Sequence, residues 1–238
     1  MKTIAFIMYT HSSYSDIWPL FFGQTDKYVN DVDMDKYIFV DKIVPGIPDD
    51  YTPILYSKNK YVEDVISCLE QVPNEYCIFQ HEDMFLYKQS DTAELETLFR
   101  NMMVDDLDSI RFIKAAQTHD TPTSNPKLHL MKDSSPWIFS IQPSLWKTES
   151  LYRVYRRTGG TSIWDFETKA QNTVRDLKMR IAYTYDNEPK RGRQHYDSNV
   201  WPYIATAVLK GKWTTSEYPE LVELLKEYKI DPSIRGGI

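Results

Sequence analysis

The sequence has little cysteine, no glycine-rich phosphate loop and no long apolar run, and each absence excludes a class of protein. Two of the 238 residues are cysteine, Cys68 and Cys77, which provides neither a disulfide framework nor a zinc-binding spacing. Both lie in apolar surroundings, so we interpret them as buried thiols of a reducing compartment. No segment approaches the length of a membrane span, and the N-terminal residues contain no signal-peptide cleavage site. We therefore expect a soluble, cytoplasmic protein.

Familiar nucleotide-binding and hydrolase signatures are also missing. Neither GxGxxG nor GxxxxGK[ST] occurs, which disfavours Rossmann dehydrogenases, kinases and P-loop NTPases. GxSxG and HExxH are absent too, which removes the most direct indications of a hydrolase. The formal net charge is −6, so nucleic acid is not an expected partner despite the local basic patch Lys190-Arg191-Gly192-Arg193.

The pattern that is present predicts an α/β fold. Hydrophobic residues make up 42% of the chain, enough for a well-packed core, and the length fits one large domain. Strands and helices alternate in the first half, which favours a mostly parallel central sheet flanked by helices. Strands are predicted over residues 3–9, 36–41, 51–56, 76–79, 109–114 and 180–185, and helices over residues 16–24, 59–69, 91–103, 163–176 and 217–228. In the mixed second half we expect residues 127–131 and 137–141 to pair as antiparallel strands, and Ser144 to cap a helix through Tyr155.

The most informative segment is Gln80-His81-Glu82-Asp83, at the end of a predicted buried strand. Carboxylates at the carboxyl end of a buried strand lie where open α/β sheets bind ligands. They are costly to bury without a counter-ion, so a divalent cation holding an anion such as a diphosphate is the simplest explanation. Alternation along an extended strand predicts that His81 and Asp83 point together and Glu82 points away. A turn in the backbone would exchange these roles, and a solvated strand-end turn is the structural alternative.

A second candidate is Ser162-Ile-Trp164-Asp-Phe-Glu167, where a carboxylate lies among large aromatic side chains. An apolar pocket raises the pKa of a carboxylate toward that of a general base. The alternative is a helix N-terminus whose acidic residues interact with the helix dipole.

Further candidates surround these two motifs. Thr10, His11 and Asp41 follow the first two strands, at the edge where a doubly wound sheet binds nucleotides. Gln142 lies in a Pro turn between a predicted strand and helix, and ordinary turn chemistry explains it equally well. In a basic loop near the C-terminus, Arg191 and Arg193 are candidates to bind a diphosphate leaving group, and His195 is a candidate metal ligand. The alternative is that this loop is simply solvated.

These motifs occur in the order Gln80–Leu86, Ser140–Trp146, Ile163–Glu167, then Trp201–Ile204 with Lys210–Trp213. The combination resembles small cytoplasmic glycosyltransferases of the GT-A fold from bacteria and large DNA viruses, including the sugar transferase domain of chloroviruses. The resemblance implies a single GT-A-like domain over residues 1–238. Its nucleotide-sugar-binding half would cover about residues 1–115 and its acceptor-side half about residues 116–238.

The resemblance also implies roles. Asp83 matches the metal-binding carboxylate, with Mn²⁺ or Mg²⁺ as cofactor, and His81 stands where the commoner pattern has its first Asp. Glu167 matches the base of an inverting enzyme. The donor would be a nucleoside-diphosphate sugar, a UDP-sugar being favoured, and the acceptor a hydroxyl of a viral or bacterial glycan. Gln80, Glu82, Gln142 and Trp164 complete the expected nucleotide-sugar site.

Two other functions remain open at this point. A metal-dependent nucleotidyltransferase would use a similar site, but it needs a basic, glycine-rich loop near the N-terminus, and residues 10–15 contain neither glycine nor a cation. A non-catalytic module that binds carbohydrates or nucleotide sugars would explain the aromatic residues without requiring Glu167.

Overall fold

The computed structural model describes residues 3–29, 31–57, 60–115 and 119–238. Within these ranges nine strands form one central sheet, and two short hairpins lie outside it. The sheet strands are β1 (Ile4–Tyr9), β2 (Asp35–Val40), β3 (Tyr51–Leu55), β4 (Tyr76–His81), β5 (Ser109–Arg111), β6 (Asp120–Pro122), β7 (Leu128–Met131), β8 (Ser144–Lys147) and β9 (Ile181–Thr184). The hairpins are β10 (Lys190–Arg191) with β11 (His195–Tyr196), and β12 (Val208–Leu209) with β13 (Lys212–Trp213).

The strand order β3-β2-β1-β4-β8-β5-β9-β7-β6 places the first four strands in a parallel block. Tyr9 at the end of β1 lies opposite Phe39 of β2 and His81 of β4. The loops that follow these three strands therefore meet at one edge of the sheet. The predicted fold class, a mostly parallel α/β sheet flanked by helices, is confirmed.

The region around β8 differs from the sequence-based expectation. Residues 144–147 form a strand that lies antiparallel between β4 and β5, and the Ser144 hydroxyl donates to the Gln142 carbonyl instead of capping a helix. Because both faces of this strand are covered, its sequence shows no alternation of polar and apolar residues. Residues 137–141 are not a strand: helix side chains hydrogen-bond their backbone, and β7 pairs with β6 and β9.

The helices are α1 (Trp18–Val29), α2 (Tyr61–Leu69), α3 (Thr92–Val104), α4 (Thr148–Arg157), α5 (Ile163–Asp176) and α6 (Leu221–Glu227). As predicted, Asp91 caps α3 by accepting a hydrogen bond from the amide of Glu94 at 3.0 Å. The predicted start of the second helix at Asn59 lies outside the described residues. In the part of the chain that the structure describes, no helix is both long and apolar enough to cross a bilayer.

Aromatic packing ties a late segment of the chain to the central sheet. The buried Trp201 ring lies 5.9 Å from Phe6 on β1 and 5.4 Å from Phe112, which follows β5 (centroid distances). Phe6 also stacks on Phe21 of α1 at 6.1 Å. The segment after Ser198 is therefore anchored against both the parallel block and the region of β5, close to the loop that follows β4.

Candidate functional site

Glu82 and Asp83 form a turn directly after β4. The amide of Met84 donates to the carbonyl of His81 at 3.1 Å, so the extended backbone ends at His81. Strand alternation consequently does not extend to these residues, and the prediction that His81 and Asp83 point together is wrong. Because of the turn, Glu82 instead of His81 accompanies Asp83, and we refer to these two carboxylates as the acid pair.

The acid pair is held by groups from distant parts of the chain. The Ala207 amide donates to the backbone carbonyl of Asp83 at 3.0 Å. The Thr10 hydroxyl lowers the pKa of the Glu82 carboxyl, and the Val208 amide lowers the pKa of the Asp83 carboxyl. Burial raises the pKa of Glu82, and the negative charge of Asp83 raises it further. Burial likewise raises the pKa of Asp83, while the positive charge of Arg235 lowers it. The buried Glu82 and the half-buried Asp83, both with raised pKa values, provide an electrostatic site for a cation.

His81 points away from the acid pair into an aromatic cluster. Its Nε2 atom lies 3.2 Å from the Tyr61 hydroxyl, and its ring centroid lies 5.5 Å from that of Tyr9. Burial lowers the pKa of His81 to about 4, so the ring is neutral near pH 7. The predicted contribution of His81 to a metal shell therefore depends on its other ring nitrogen.

The loop after β1 is fixed by Asp41, which follows β2. The buried Asp41 carboxylate accepts hydrogen bonds from the Ser12 amide at 2.6 Å and the Ser12 hydroxyl at 3.0 Å. Nε2 of His11 lies 3.6 Å from the same carboxylate. Thr10, His11 and Asp41 thus meet at the sheet edge as predicted, and the Thr10 hydroxyl also lowers the pKa of Glu82.

A cleft of about 610 Å³ lies beside this loop. Its lining contains Ser12, Ser13, Ser15, Asp16, Lys210, Gly211, Lys212, Ile234 and Arg235. We refer to it as the cationic cleft because three of its side chains are basic. Lys210 and Gly211 both have positive φ values, 51° and 79°, and form the tip of the β12–β13 hairpin. That hairpin begins at Val208, and the amide of the preceding residue, Ala207, donates to the carbonyl of Asp83 at 3.0 Å, so the cationic cleft adjoins the acid pair.

Glu167 lies in the N-terminal half of α5, half-buried beside residues 137–141. Its Oε1 atom accepts a hydrogen bond from the Ile141 amide at 3.0 Å. Burial raises the pKa of Glu167, while the Ile141 amide, Ser140 and the positive charge of Arg111 lower it. A carboxylate whose pKa is raised by burial is suited to general-base catalysis near neutral pH.

Glu167 is connected to the end of β4 through a buried aromatic cluster. The Tyr61 hydroxyl lies 2.8 Å from that of Tyr155, and Tyr155 stacks on Phe166 with ring centroids 4.2 Å apart. Glu167 follows Phe166 in the chain, and its charge raises the pKa of both Tyr61 and Tyr155. The helix that carries the candidate base is thus connected to β4, the strand that precedes the acid pair, through side chains of α2 and α4.

In the predicted basic loop, the charge of Arg191 is paired with acidic side chains of this chain. The Arg191 guanidinium lies 3.6 Å from the centroid of the Tyr87 ring and forms ion pairs with Glu220 and Asp197. Arg193 is exposed, and its backbone amide donates to Glu217 at 2.9 Å. The predicted roles of these two arginines in holding a diphosphate remain predictions, and their contacts do not bring them to the acid pair.

His195 lies in the same hairpin as Arg191. It pairs through its backbone with Arg191 and Ala115. Burial lowers its pKa to about 4, and the positive charge of Arg111 contributes. Among the described residues, no three His, Cys, Asp or Glu side chains come together as a metal-binding group. A metal shell shared by His81, Asp83 and His195 is therefore not assembled there.

The remaining predicted residues occupy two different environments. Gln80 accepts a hydrogen bond from the Trp201 indole at 2.9 Å, and Gln142 accepts one from the Tyr203 hydroxyl at 2.8 Å. Both amides are buried, and their hydrogen bonds hold the segment around Trp201 and Tyr203 against the central sheet. Trp164, in contrast, is 60% exposed on α5. Whether these side chains contact a ligand remains a prediction.

Sequence reasoning missed the cationic side chains of the cleft. Lys210 and Lys212 flank a glycine, a turn signal that would have placed two cations at a hairpin tip. Arg235 carries no local signal, because only the folded chain brings it to Asp16 and the acid pair.

No protein-family model matches the chain, and no curated protein matches its sequence. Solved structures do resemble it. TarS 1–349 from S. aureus is 15% identical, with 97% of this chain and 66% of that chain covered and a TM-score of 0.54. CMP:2-keto-3-deoxy-manno-octonic acid synthetase in complex with CTP is 10% identical, with coverages of 96% and 98% and a TM-score of 0.53. UDP-glucose pyrophosphorylase in complex with UDP-glucose is 8% identical, with coverages of 77% and 90% and a TM-score of 0.53.

These likenesses are distant and concern the fold. The chain spans 37% of the length of another TarS structure and 50% of that of the bifunctional IspDF from Campylobacter jejuni. The central sheet and its flanking helices form a nucleotide-diphospho-sugar transferase-like fold.

Proposed function

We propose that this protein is a glycosyltransferase that moves a sugar from a nucleoside-diphosphate sugar, with UDP-sugars favoured, to a hydroxyl of a glycan. One observation carries the proposal: the acid pair adjoins the cationic cleft through the β12–β13 hairpin, because the amide of Ala207 beside β12 donates to the carbonyl of Asp83. Carboxylates next to lysine and arginine are the combination required to hold a diphosphate together with a divalent cation. The fold supports this proposal, because known proteins of similar fold act on nucleotides and nucleotide sugars.

The donor set fits Mn²⁺ or Mg²⁺. Asp83 and Glu82 are hard oxygen ligands, and their raised pKa values indicate a buried negative charge that lacks full compensation. Mg²⁺ in phosphate-transfer sites is usually bound through one or two carboxylates plus substrate phosphates, so a third protein ligand is not required. Asp83 would hold the cation with Glu82 beside it. When bound, the cation would neutralise charge on the departing diphosphate.

The chain's own residues supply the other requirements of the reaction. Lys210, Lys212 and Arg235 would bind the diphosphate and stabilise its growing negative charge. The Glu167 carboxylate would accept the proton of the acceptor hydroxyl. The acceptor oxygen then bonds to the anomeric carbon as the bond from that carbon to the diphosphate oxygen breaks, and its electron pair leaves with the nucleoside diphosphate. Attack opposite the leaving group inverts the anomeric configuration.

A metal-dependent nucleotidyltransferase is the second candidate. UDP-glucose pyrophosphorylase and CMP:2-keto-3-deoxy-manno-octonic acid synthetase resemble the chain about as closely as TarS does. That reaction releases pyrophosphate from a nucleoside triphosphate, whereas sugar transfer releases a nucleoside diphosphate. The loop after β1 offers hydroxyls, held by Asp41, but lacks the lysine, arginine and glycine of a triphosphate-binding loop, which favours sugar transfer.

Thermal shift and calorimetry with UDP, GDP, CDP and their sugars, with and without Mn²⁺, test the proposal. We expect the wild type to be stabilised by a nucleoside diphosphate in a metal-dependent manner, and Asp83→Ala to lose that effect. Glu167→Gln should keep binding and lose at least about 10²-fold in turnover. Glu63→Gln on the exposed side of α2 is the matched control for loss of a carboxylate charge and should behave as wild type.

The products separate the candidate functions. Release of nucleoside diphosphate with transfer of the sugar supports the proposal, and release of pyrophosphate from a triphosphate supports the nucleotidyltransferase. Binding without turnover of any donor supports a binding module. If no nucleoside diphosphate stabilises the wild type, the proposed function is wrong.

A further inference from the structure

One side of α5 is covered by residues 133–141 in a regular way. Glu167 accepts from the Ile141 amide, and Gln171 makes two hydrogen bonds to the backbone of Phe139 at 3.0 and 2.8 Å. Arg175 then donates to the carbonyls of Asp133 and Ser135 at 2.8 and 2.7 Å. Residues four positions apart on α5 therefore contact successive parts of one covering segment.

Trp164 lies next in this row but has no cover. Positions 164, 167, 171 and 175 lie on one side of a helix with 3.6 residues per turn. The covering segment passes Glu167 at Ile141 and then turns through Gln142 and Pro143 into β8. The Trp164 indole is consequently 60% exposed, and within the described parts of the chain its N–H donates no hydrogen bond.

The distance between Trp164 and Glu167 is set by the helix. Side chains three positions apart on a helix have Cβ atoms about 5–6 Å apart. The indole is therefore within one sugar ring of the candidate base. A single exposed apolar side chain is ordinary on a protein surface. The position beside Glu167, and not the exposure alone, indicates that Trp164 binds a ligand.

The surroundings of Trp164 indicate which partner binds it: they fit an amphipathic ring, such as a sugar, better than an apolar protein surface. Ile163, directly before it, is partly buried against the core, and the exposed neighbours are polar, namely Thr161, Ser162, Thr168 and Lys169. A protein partner that docks through hydrophobic contact needs a contiguous apolar patch, which this surface does not present. A sugar ring offers an apolar C–H face for the indole and a rim of hydroxyls for polar neighbours.

We propose that the acceptor is a saccharide whose ring stacks on the Trp164 indole, with one hydroxyl directed at Glu167. This inference rests on the proposed function, because it gives Glu167 the role of base. It moves Trp164 from the predicted nucleotide-sugar site to the acceptor site. It also gives the carbohydrate acceptor a defined stacking surface beside the candidate base.

Two variants of Trp164 and one matched control test the proposal. Trp164→Ala removes the stacking surface and Trp164→Phe keeps part of it. Trp137→Ala removes another exposed indole, 38% accessible, from the segment that covers the same helix at a distance from Glu167. Saturation-transfer NMR with lactose, cellobiose and maltose, in the presence of UDP and Mn²⁺, measures saccharide binding without any need for turnover.

We expect Trp164→Ala to weaken saccharide binding about tenfold, Trp164→Phe to weaken it less, and Trp137→Ala to leave it unchanged. In assays with UDP-glucose, Trp164→Ala should raise the KM for saccharide about tenfold without a matching rise in the KM for UDP-glucose. UDP binding measured by calorimetry should equal that of the wild type.

Other results would overturn the inference. Equal saccharide binding by Trp164→Ala and Trp137→Ala, or no binding of any of the three saccharides by the wild type, excludes stacking on Trp164. Loss of UDP-glucose binding in Trp164→Ala returns this residue to the donor site. Saccharide binding that depends on Trp164, in a protein that binds no nucleoside diphosphate, leaves this inference standing and refutes the proposed function instead.

Discussion

Arg235 and Asp16 form a two-bond ion pair in the wall of the cationic cleft: Nε donates to Oδ2 at 2.7 Å, and Nη2 donates to Oδ1 at 2.6 Å. The guanidinium also lies 4.5 Å from the centroid of the Tyr14 ring. A cation that is oriented in this way is ready to meet an anionic ligand, but the Asp16 carboxylate competes for it. The ion pair therefore limits the affinity of the cleft for phosphates.

Asp16→Asn should increase that affinity. The amide keeps the size of the side chain and removes one negative charge from the cleft, so we expect the Kd for UDP to fall about threefold or more at low ionic strength. Isothermal titration at two salt concentrations measures the change, which salt should reduce. Asp26→Asn, which alters an exposed carboxylate on α1, is the control and should have no effect. Weaker UDP binding by Asp16→Asn would mean that orientation of Arg235 matters more than its net charge.

The acid pair should give the ligand-free protein an unusual pH dependence of stability. Burial raises the folded-state pKa values of Glu82 and Asp83 above those of the unfolded chain. The folded state then binds these protons more tightly, so their contribution to the free energy of unfolding is full below about pH 4 and decreases as the pH rises through the raised values. Asp83→Asn removes part of this decrease.

Thermal unfolding between pH 5 and 8.5 measures the effect. We expect the Tm of Asp83→Asn relative to wild type to rise with increasing pH. His81, whose lowered pKa acts in the opposite direction, is common to both proteins and cancels. Mn²⁺ with UDP should stabilise only the wild type. Parallel Tm curves for the two proteins would contradict the prediction.

Tyr61→Phe should destabilise the protein by about 1–3 kcal/mol. The lost hydroxyl lies between Nε2 of His81 and the hydroxyl of Tyr155, and both are buried, so each is left without this partner. Urea unfolding measures the loss. Tyr152→Phe is the control, because its hydroxyl bonds Glu70 at the surface at 2.8 Å, and we expect a change of less than about 0.5 kcal/mol.

Both cysteines should be unreactive in the folded protein. Burial raises the pKa values of Cys68 and Cys77 to about 12, so the thiolate fraction at pH 8 is about 10⁻⁴. We expect a disulfide reagent such as DTNB to label neither thiol in the native state and both in concentrated guanidinium chloride. Rapid labelling of either cysteine under native conditions would show that its surroundings open readily.

The parallel half of the fold could be predicted from the sequence because each of its strands is a short apolar run between helices. The acid pair could be located for the same reason, since Glu82 and Asp83 interrupt such a run. Their relative orientation could not be predicted, because it depends on whether the strand continues past His81 or turns, and no local pattern decides between these.

The cationic cleft and β8 were missed for different reasons. The cleft combines residues 12–16, 210–212 and 234–235, which only the tertiary fold brings together. β8 is covered on both faces, so it lacks the alternation that identifies an edge or half-exposed strand. The sequence predicted that Arg191 binds a diphosphate, whereas in the structure it pairs with Glu220. This pairing could not be predicted because the two residues are far apart in the chain and no sequence pattern connects them.

The antiparallel position of β8 has a consequence for folding during synthesis. β4 and β5 have no direct pairing in the sheet: both bind β8, and Phe79 of β4 meets Ser144 roughly 65 residues later. At about 5–20 residues per second, the ribosome needs roughly 3–13 s to make that stretch. Throughout this interval β4 has one unpaired edge next to the carboxylates of Glu82 and Asp83. We expect nascent chains arrested before residue 144 to expose this edge to chaperones and to aggregation, and chains arrested well after α4 to be protected.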